Sequence, residues 1–360
     1  MSSSTIPLPV ASRISRRALI ASSTAAAAML ATAGASLPSA AAQGSKLKVV
    51  ATFSVLEDWL KNIGGDAIEL STIVPAGGDT HSFDPTPEQV AAIADANLIF
   101  EIGLGFETWL DDMVTASGTS ATRVVVSEGI TVRTLTEGED HDEHEHESDA
   151  SPESGHDHDH GDTDPHIWGN VQNAITACGT IATALGQGDL DLRATFQGAH
   201  DAYVGQLGKL DAWVKAQIGT VPADERRIVT SHDALGYYTD AYGIEIVATI
   251  LGLSTEEAEP SAKQIAELVD QIKAAKVKAM FPENIENPQL LESVAQEAGV
   301  KVGATLYTDA LGEPGSNGDT YIKMITWNTT ALVAGMQGED APTTVQATPD
   351  LDASPAATPA

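Results

Sequence analysis

Apolar positions along this chain come in short blocks, and the blocks alternate between a period of about two or a continuous run and a period near 3.6. Residues 48–53 (KVVATF) read as a buried strand. The Ser54-x-x-Glu57 pair that follows has the form of a capping box, and Gly64-Gly65 the form of a helix stop. Residues 68–74 make the next strand, ending at Pro75-Ala76-Gly77-Gly78. In Thr86-Pro87-Glu88-Gln89 the threonine predicts a cap, the proline suits the first helical position and the glutamine is placed to reach back. Residues 97–102 and 123–127 read as further strands, with a helix through Trp109 and Leu110 between them and an apolar stretch at 131–135 after them.

Beyond Trp168 the period changes. Residues 171–185 and about 190–218 read as helices, the second with Phe196, Tyr203, Leu207, Leu210 and Val214 at spacings of three, four and seven. At 1.5 Å per residue that helix would be roughly 45 Å long, enough to link two lobes. Strand and helix blocks then resume: strands at 227–230, 244–250, 277–281 and 300–306, and helices through Tyr237, at 261–275, 287–298 and 320–336. Alternation of this kind predicts parallel sheets. The expected fold class is α/β, two βα sandwich lobes joined by one long bridging helix, with a cleft between them. The expected organisation is a first lobe over 46–168, a helical segment over 169–220, a second lobe over 225–337 and a disordered Pro/Thr/Ala tail over 338–360.

Composition changes this picture at the ends and in one internal stretch. Ser15-Arg16-Arg17 precedes an Ala/Leu-rich stretch, and small residues at Ala40 and Ala42 offer a cleavage site, so residues 1–42 read as a twin-arginine-like export signal. No later stretch is apolar for long enough to span a membrane. The expected location is the periplasm or the extracytoplasmic face, with no lipobox cysteine for an anchor. The single cysteine, Cys178, excludes an intramolecular disulfide and reads as a small buried hydrophobe. A formal net charge of −32 argues against nucleic acid or anionic lipid as partner.

From Glu137 to Asp164 the chain carries thirteen acidic residues and six of its ten histidines, His141, His144, His146, His156, His158 and His160. This stretch, taken as 137–163, reads as a solvated insertion with weak, exchangeable metal binding, because ordering a loop costs roughly 1–2 kcal/mol per residue fixed. His200 falls in the long helix and reads as a surface or packing residue. The remaining three differ. His81 and His232 follow predicted strands, at the sheet edge where open α/β folds bind ligands, and His166 closes the histidine-rich stretch in Asp164-Pro165-His166-Ile167-Trp168. Alone, His81 or His232 would more often be a loop histidine bonding backbone, while for His166 the two readings are near even. As a set joined by Asp309, also at a strand end, they point to one transition-metal ion between the lobes. Asp309 is the weakest member, since a Thr-Asp pair after a strand commonly caps a turn. Four protein donors make a closed site, unlike the open position a catalytic zinc keeps.

Four segments carry a resemblance: Pro75-Ala76-Gly77-Gly78-Asp79-Thr80-His81 with Asp84-Pro85-Thr86-Pro87; Asp164-Pro165-His166-Ile167-Trp168; Thr230-Ser231-His232-Asp233-Ala234-Leu235-Gly236-Tyr237-Tyr238; and Thr308-Asp309-Ala310-Leu311. In this order, with an acidic histidine-rich insertion before the second, the chain resembles the zinc/manganese-specific solute-binding proteins of bacterial ABC transporters over about residues 46–336. Glu259-Pro260-Ser261 and Asp319-Thr320-Tyr321 are similar to that family as well. The resemblance implies two α/β lobes, a rigid bridging helix, one metal in the cleft held by His81, His166, His232 and Asp309, and delivery to a permease and its ATPase by a monomeric receptor that is not an enzyme. Family members that look manganese-specific tend to carry a carboxylate where this chain has His232, so Zn²⁺ is the expected cargo and Mn²⁺ the alternative. Thr80 stands where the family commonly has proline. Two rival classes remain at this stage, a mononuclear zinc hydrolase and a cell-adhesion protein or metal buffer without a transporter. The chain has no H-E-x-x-H pairing for the former.

Overall fold

The computed structural model describes residues 46–134, 163–255, 260–345 and 351. The expected export signal, Glu259 and the six histidines from His141 to His160 lie outside the described residues. Two four-stranded parallel sheets organise the remainder. The first, in the order β2-β1-β3-β4, consists of β1 (Leu47–Phe53), β2 (Ile68–Val74), β3 (Leu98–Glu101) and β4 (Thr122–Val125). The second, in the order β6-β5-β7-β8, consists of β5 (Arg227–Thr230), β6 (Glu245–Thr249), β7 (Ala279–Phe281) and β8 (Lys301–Val302). Every pairing within both sheets is parallel. Parallel strands need covered faces, and the central strands show it: Val49 through Phe53, all of β3 and all of β7 are buried.

The helices that cover the first sheet are α1 (Ser54–Gly64), α2 (Pro87–Asp95) and α3 (Leu110–Ser117), followed by α4 (Val171–Gly188). The long helix α5 (Arg193–Ile218) has 26 residues, about 39 Å at 1.5 Å per residue. It packs on α1 and α4 from the first half of the chain and on α6 (Gly236–Tyr242) and α9 (Tyr321–Gln337) from the second. The remaining helices, α7 (Ala262–Ala275) and α8 (Gln289–Ala298), flank the second sheet. Cys178 is fully buried on α4, and burial pushes its thiol up, as for a small core hydrophobe.

Local signals worked where nothing distant competed. At α2 the Thr86 hydroxyl accepts from the Gln89 amide and the Gln89 side chain accepts from the Thr86 amide, with Pro87 opening the helix. Gly65 ends α1 at φ 48°, the region that favours glycine. The capping box expected at Ser54-x-x-Glu57 does not form. Ser54 is itself the first helical residue, and its hydroxyl accepts instead from the amide of Leu311, 257 positions away in sequence. The strand expected over 300–306 shrinks to Lys301–Val302. Gly303 follows, where a Cβ would stand 2.6 Å from the Phe281 ring, and Leu306 returns to the sheet only as a single bridge to Glu283. Of the stretch at 131–135, the described residues contribute only an antiparallel bridge between Thr134 and Thr163. Of the expected tail, Val345 is described and packs partly buried against the core.

Candidate metal site

The loop after β2 carries His81, and its shape is set by Asp79, whose Oδ1 accepts from the His81 amide at 2.9 Å while Oδ2 accepts from the Ser82 hydroxyl at 2.7 Å. Trp109 donates its indole N–H to the Thr80 carbonyl and pins the loop from the other side. His166 precedes a short 3₁₀ turn, Ile167–Gly169, whose Trp168 donates to the Thr308 carbonyl at 2.8 Å. That one bond ties the His166 segment to the residue beside Asp309. His232 follows β5 directly, and both its amide and that of Ser231 donate to Glu283 Oε1. Asp309 lies beyond the Leu306 bridge, and Leu311 next to it holds both Ser54 and, through its carbonyl, the amide of Gly77.

These four segments bring His81, His166, His232 and Asp309 together, with one donor atom from each lying within 4.8 Å of the others. All four are buried, three of them fully and His81 at 7% exposure. The carboxylate of Asp309 is the hub: Oδ2 lies 3.1 Å from His81 Nε2 and 2.9 Å from His232 Nε2, and Oδ1 lies 3.4 Å from His166 Nε2. Donors at about 2.0–2.1 Å from one tetrahedral ion stand roughly 3.4 Å apart, and the three contacts to Asp309 are close to that spacing. His81 Nε2, His166 Nε2 and Asp309 Oδ1 are buried atoms with no hydrogen-bond partner. Such atoms are costly unless something else meets them.

The outer nitrogens of His166 and His232 lie against a second ring of carboxylates. His166 Nδ1 lies 2.8 Å from Asp164 Oδ1, and His232 Nδ1 lies 2.7 Å from Glu283 Oε2 and 3.3 Å from Glu286 Oε1. This arrangement fixes which nitrogen faces inward and makes each ring a stronger donor. Phe106 packs edge-on against His81, with centroids 5.2 Å apart, and Trp168 against His166 at 5.3 Å, so aromatic rings back two of the imidazoles. Burial opposes charge on His166, but Asp309 and Asp164 outweigh it and raise the ring to about 9. Burial likewise opposes charge on His232, and Glu283 with Asp309 holds it well above the ordinary histidine range. Burial would raise Asp309; the two histidines hold it well below the carboxylate range. Burial, reinforced by Glu283, pushes Glu286 up to about 7. Beside this ring a cavity of about 260 Å³ is lined by Asp79, Ser231, Thr255 and Glu286, and the Thr255 hydroxyl donates across it to Asp79 at 2.7 Å.

His200 is apart from this cluster, bonding Gln197 and Asp201 on α5. Sequence reasoning did not assign roles to Asp164, Glu283 or Glu286. A carboxylate two positions before a ligand-type histidine, and another just after β7, were the available signals.

Comparison with known proteins places the chain in a family. The family model described as "Zinc-uptake complex component A periplasmic" matches residues 49–335. The chain belongs to the ZnuA family. ZnuA-family proteins are metal-binding periplasmic components of ABC transporters of zinc/manganese type. Among relatives, the chain is 34% identical over 302 residues to the manganese ABC transporter substrate-binding lipoprotein PsaA of Streptococcus mitis, covering 82% of this chain and 91% of that protein. It is 33% identical to the manganese-binding lipoprotein MntA of Halalkalibacterium halodurans, covering 81% and 89%. In structure it is similar to the periplasmic zinc binding protein TroA from Treponema pallidum, with TM-score 0.70 and 29% identity, covering 81% of this chain and 99% of TroA. The two-lobed parallel α/β architecture is that of these ZnuA-family neighbours. Among the described residues no helix is long and apolar enough to cross a membrane.

Proposed function

We propose that the chain is an exported receptor that captures one Zn²⁺ on His81, His166, His232 and Asp309 and hands it to an ABC permease driven by its ATPase. The observation that carries this reading is the convergence of three buried imidazole nitrogens on one buried carboxylate, with His81 Nε2, His166 Nε2 and Asp309 Oδ1 lacking hydrogen bonds. Three nitrogen donors and one oxygen favour zinc over manganese, whose preferred shell is richer in carboxylate, carbonyl and water. TroA, named as zinc-binding, is consistent with this cargo. A second reading, manganese as cargo, draws support from PsaA and MntA, both named for manganese. The histidine-rich stretch from His141 to His160 serves as a weak zinc reservoir, and the receptor acts as a monomer.

The test is chelator competition on the exported chain. Wild type should hold one zinc tightly, and His81→Ala, which removes one donor and leaves Asp309 partly unpaired, should lose at least about 100-fold in affinity, of the order seen when even outer-ring partners are removed. An unchanged affinity in His81→Ala would overturn the ligand assignment.

A further inference from the structure

Arg133 is the last charged residue before the bridge at Thr134, and nothing in the function proposed above uses it. Its guanidinium is placed between the two halves of the molecule. Nη1 lies 3.1 Å from Asp164 Oδ2, and Nε lies 3.2 Å from Asp240 Oδ2 on α6; Asp233, next to His232, is 3.8 Å from Nη1. The backbone repeats the connection. The Arg133 amide donates to the Tyr237 hydroxyl at 2.9 Å, that hydroxyl donates to the Asp164 carbonyl at 3.0 Å, and the Asp164 amide donates back to the Arg133 carbonyl at 2.9 Å.

The seat for this ion pair is built. Gly236 opens α6, and a Cβ there would stand 2.4 Å from Arg133 Nη1 and 2.6 Å from Asp164 Oδ2. A side chain at this position would displace the guanidinium and the carboxylate from where they rest together on the first turn of that helix. Asp164 is fully buried and its two oxygens divide the work: Oδ1 accepts from the His166 amide and meets His166 Nδ1, while Oδ2 meets Arg133. Without Arg133, Oδ2 would be a buried anionic oxygen lacking its partner, and the carboxylate would rotate or draw in water. The ring it orients would follow.

We infer that Arg133 is a positioning residue for metal capture: seated on Gly236, it locks Asp164 against His166 and at the same time fastens that segment to α6 behind His232. This inference rests on the ligand set proposed above. A cation held this way has its release tied to breaking a cross-molecule clamp, so loss of Arg133 should act mainly on the off-rate.

The experiment measures zinc affinity and release with a fluorescent chelator for the wild-type exported chain, Arg133→Met, Arg133→Lys, Gly236→Ala, Asp164→Asn and Arg133→Met/Asp164→Asn. Each protein's fold is first checked by circular dichroism in the metal-free form. Arg133→Met should weaken zinc binding about tenfold, at the lower end of what outer-ring losses cost, chiefly through faster release. Arg133→Lys, which keeps one cation but not the fork, should recover part of that loss. Gly236→Ala leaves every charge in place and is expected to reproduce the Arg133→Met effect by displacing the ion pair; it also covers the case in which Arg133→Met fails to fold. In the Asp164→Asn background, Arg133→Met should cost nothing more, since both act through the same contact. Folded Arg133→Met and Gly236→Ala proteins with wild-type affinity and release would overturn the inference, as would fully additive losses in the double variant. A wild-type chain that binds no zinc would instead overturn the proposed function, and the role of Arg133 with it.

Discussion

Protons and metal compete for the same nitrogens here, and the competition sets a measurable pH dependence. In the metal-free chain His166 is raised from 6.5 to about 9, and His232 is held well above its ordinary range, by Asp309, Asp164 and Glu283. Both rings therefore carry a proton at pH 7 that must leave before Nε2 can donate to a cation. Each proton displaced weakens apparent metal affinity about tenfold per pH unit below the ring's pKa, so two displaced protons give roughly a hundredfold per unit. Log affinity is therefore expected to rise with pH at a slope close to two over pH 6–8, the slope falling off only as pH approaches 9. Stability moves oppositely in the two forms. A raised histidine stabilises the metal-free fold fully below 6.5, and that contribution, at most about 3 kcal/mol for His166, is lost as pH rises through about 9. Asp309, held below the carboxylate range, loses its contribution only in acid far beneath this window. The gap in melting temperature between zinc-loaded and metal-free protein should therefore widen from pH 6 to pH 8.5. The assay is titration calorimetry in two buffers of different ionisation enthalpy, which counts protons released, paired with thermal melts. No proton release and a flat affinity over pH 6–8 would refute the reasoning.

Deleting residues 137–162, which removes His141 to His160 but keeps Thr134 and Thr163, should leave the single tight zinc in place and abolish only weak additional binding; equilibrium dialysis distinguishes these. Asp58 is buried where α1 meets α5 and α9, accepting from Tyr203 and Tyr321, and burial raises it to about 6. Its ionisation thus costs stability above that pH, so Asp58→Asn should gain about 1–3 kcal/mol at pH 8, with the gain shrinking as pH falls through 6 toward 4, measured by urea unfolding.

Much of this architecture could be read from residue order, and the exceptions share one cause. Strand and helix blocks were visible because each is set by its own periodicity, and the cap at Thr86 because all its partners lie within one turn. His232 could be suspected because it lies two residues past the buried strand β5, whereas His81 and Asp309 lie seven residues past β2 and β8 and were legible only as polar residues in the loops after predicted strands. Local reading failed where a distant partner decides. Ser54 looked like a cap until Leu311 claimed its hydroxyl, and residues 300–306 looked like a full strand until Phe281 needed the space over Gly303. Arg133 gave no signal at all: of the thirteen acidic residues that follow it up to Asp164 only the last is seen, among the described residues, to pair with it, and its other partners, Asp233 and Asp240, are distant in sequence. Glu283 and Glu286 gave only a weak signal, because a carboxylate after a short strand is common and only the fold places them behind His232.

The most direct test of the central claim is native mass spectrometry of the metal-stripped exported chain titrated with zinc in the presence of excess manganese. One zinc retained at stoichiometric addition, lost in His232→Ala and followed by weaker zinc adducts that vanish with the 137–162 deletion, is the predicted result. A single retained manganese would contradict zinc as cargo, and no tightly held metal of either kind would contradict the account as a whole.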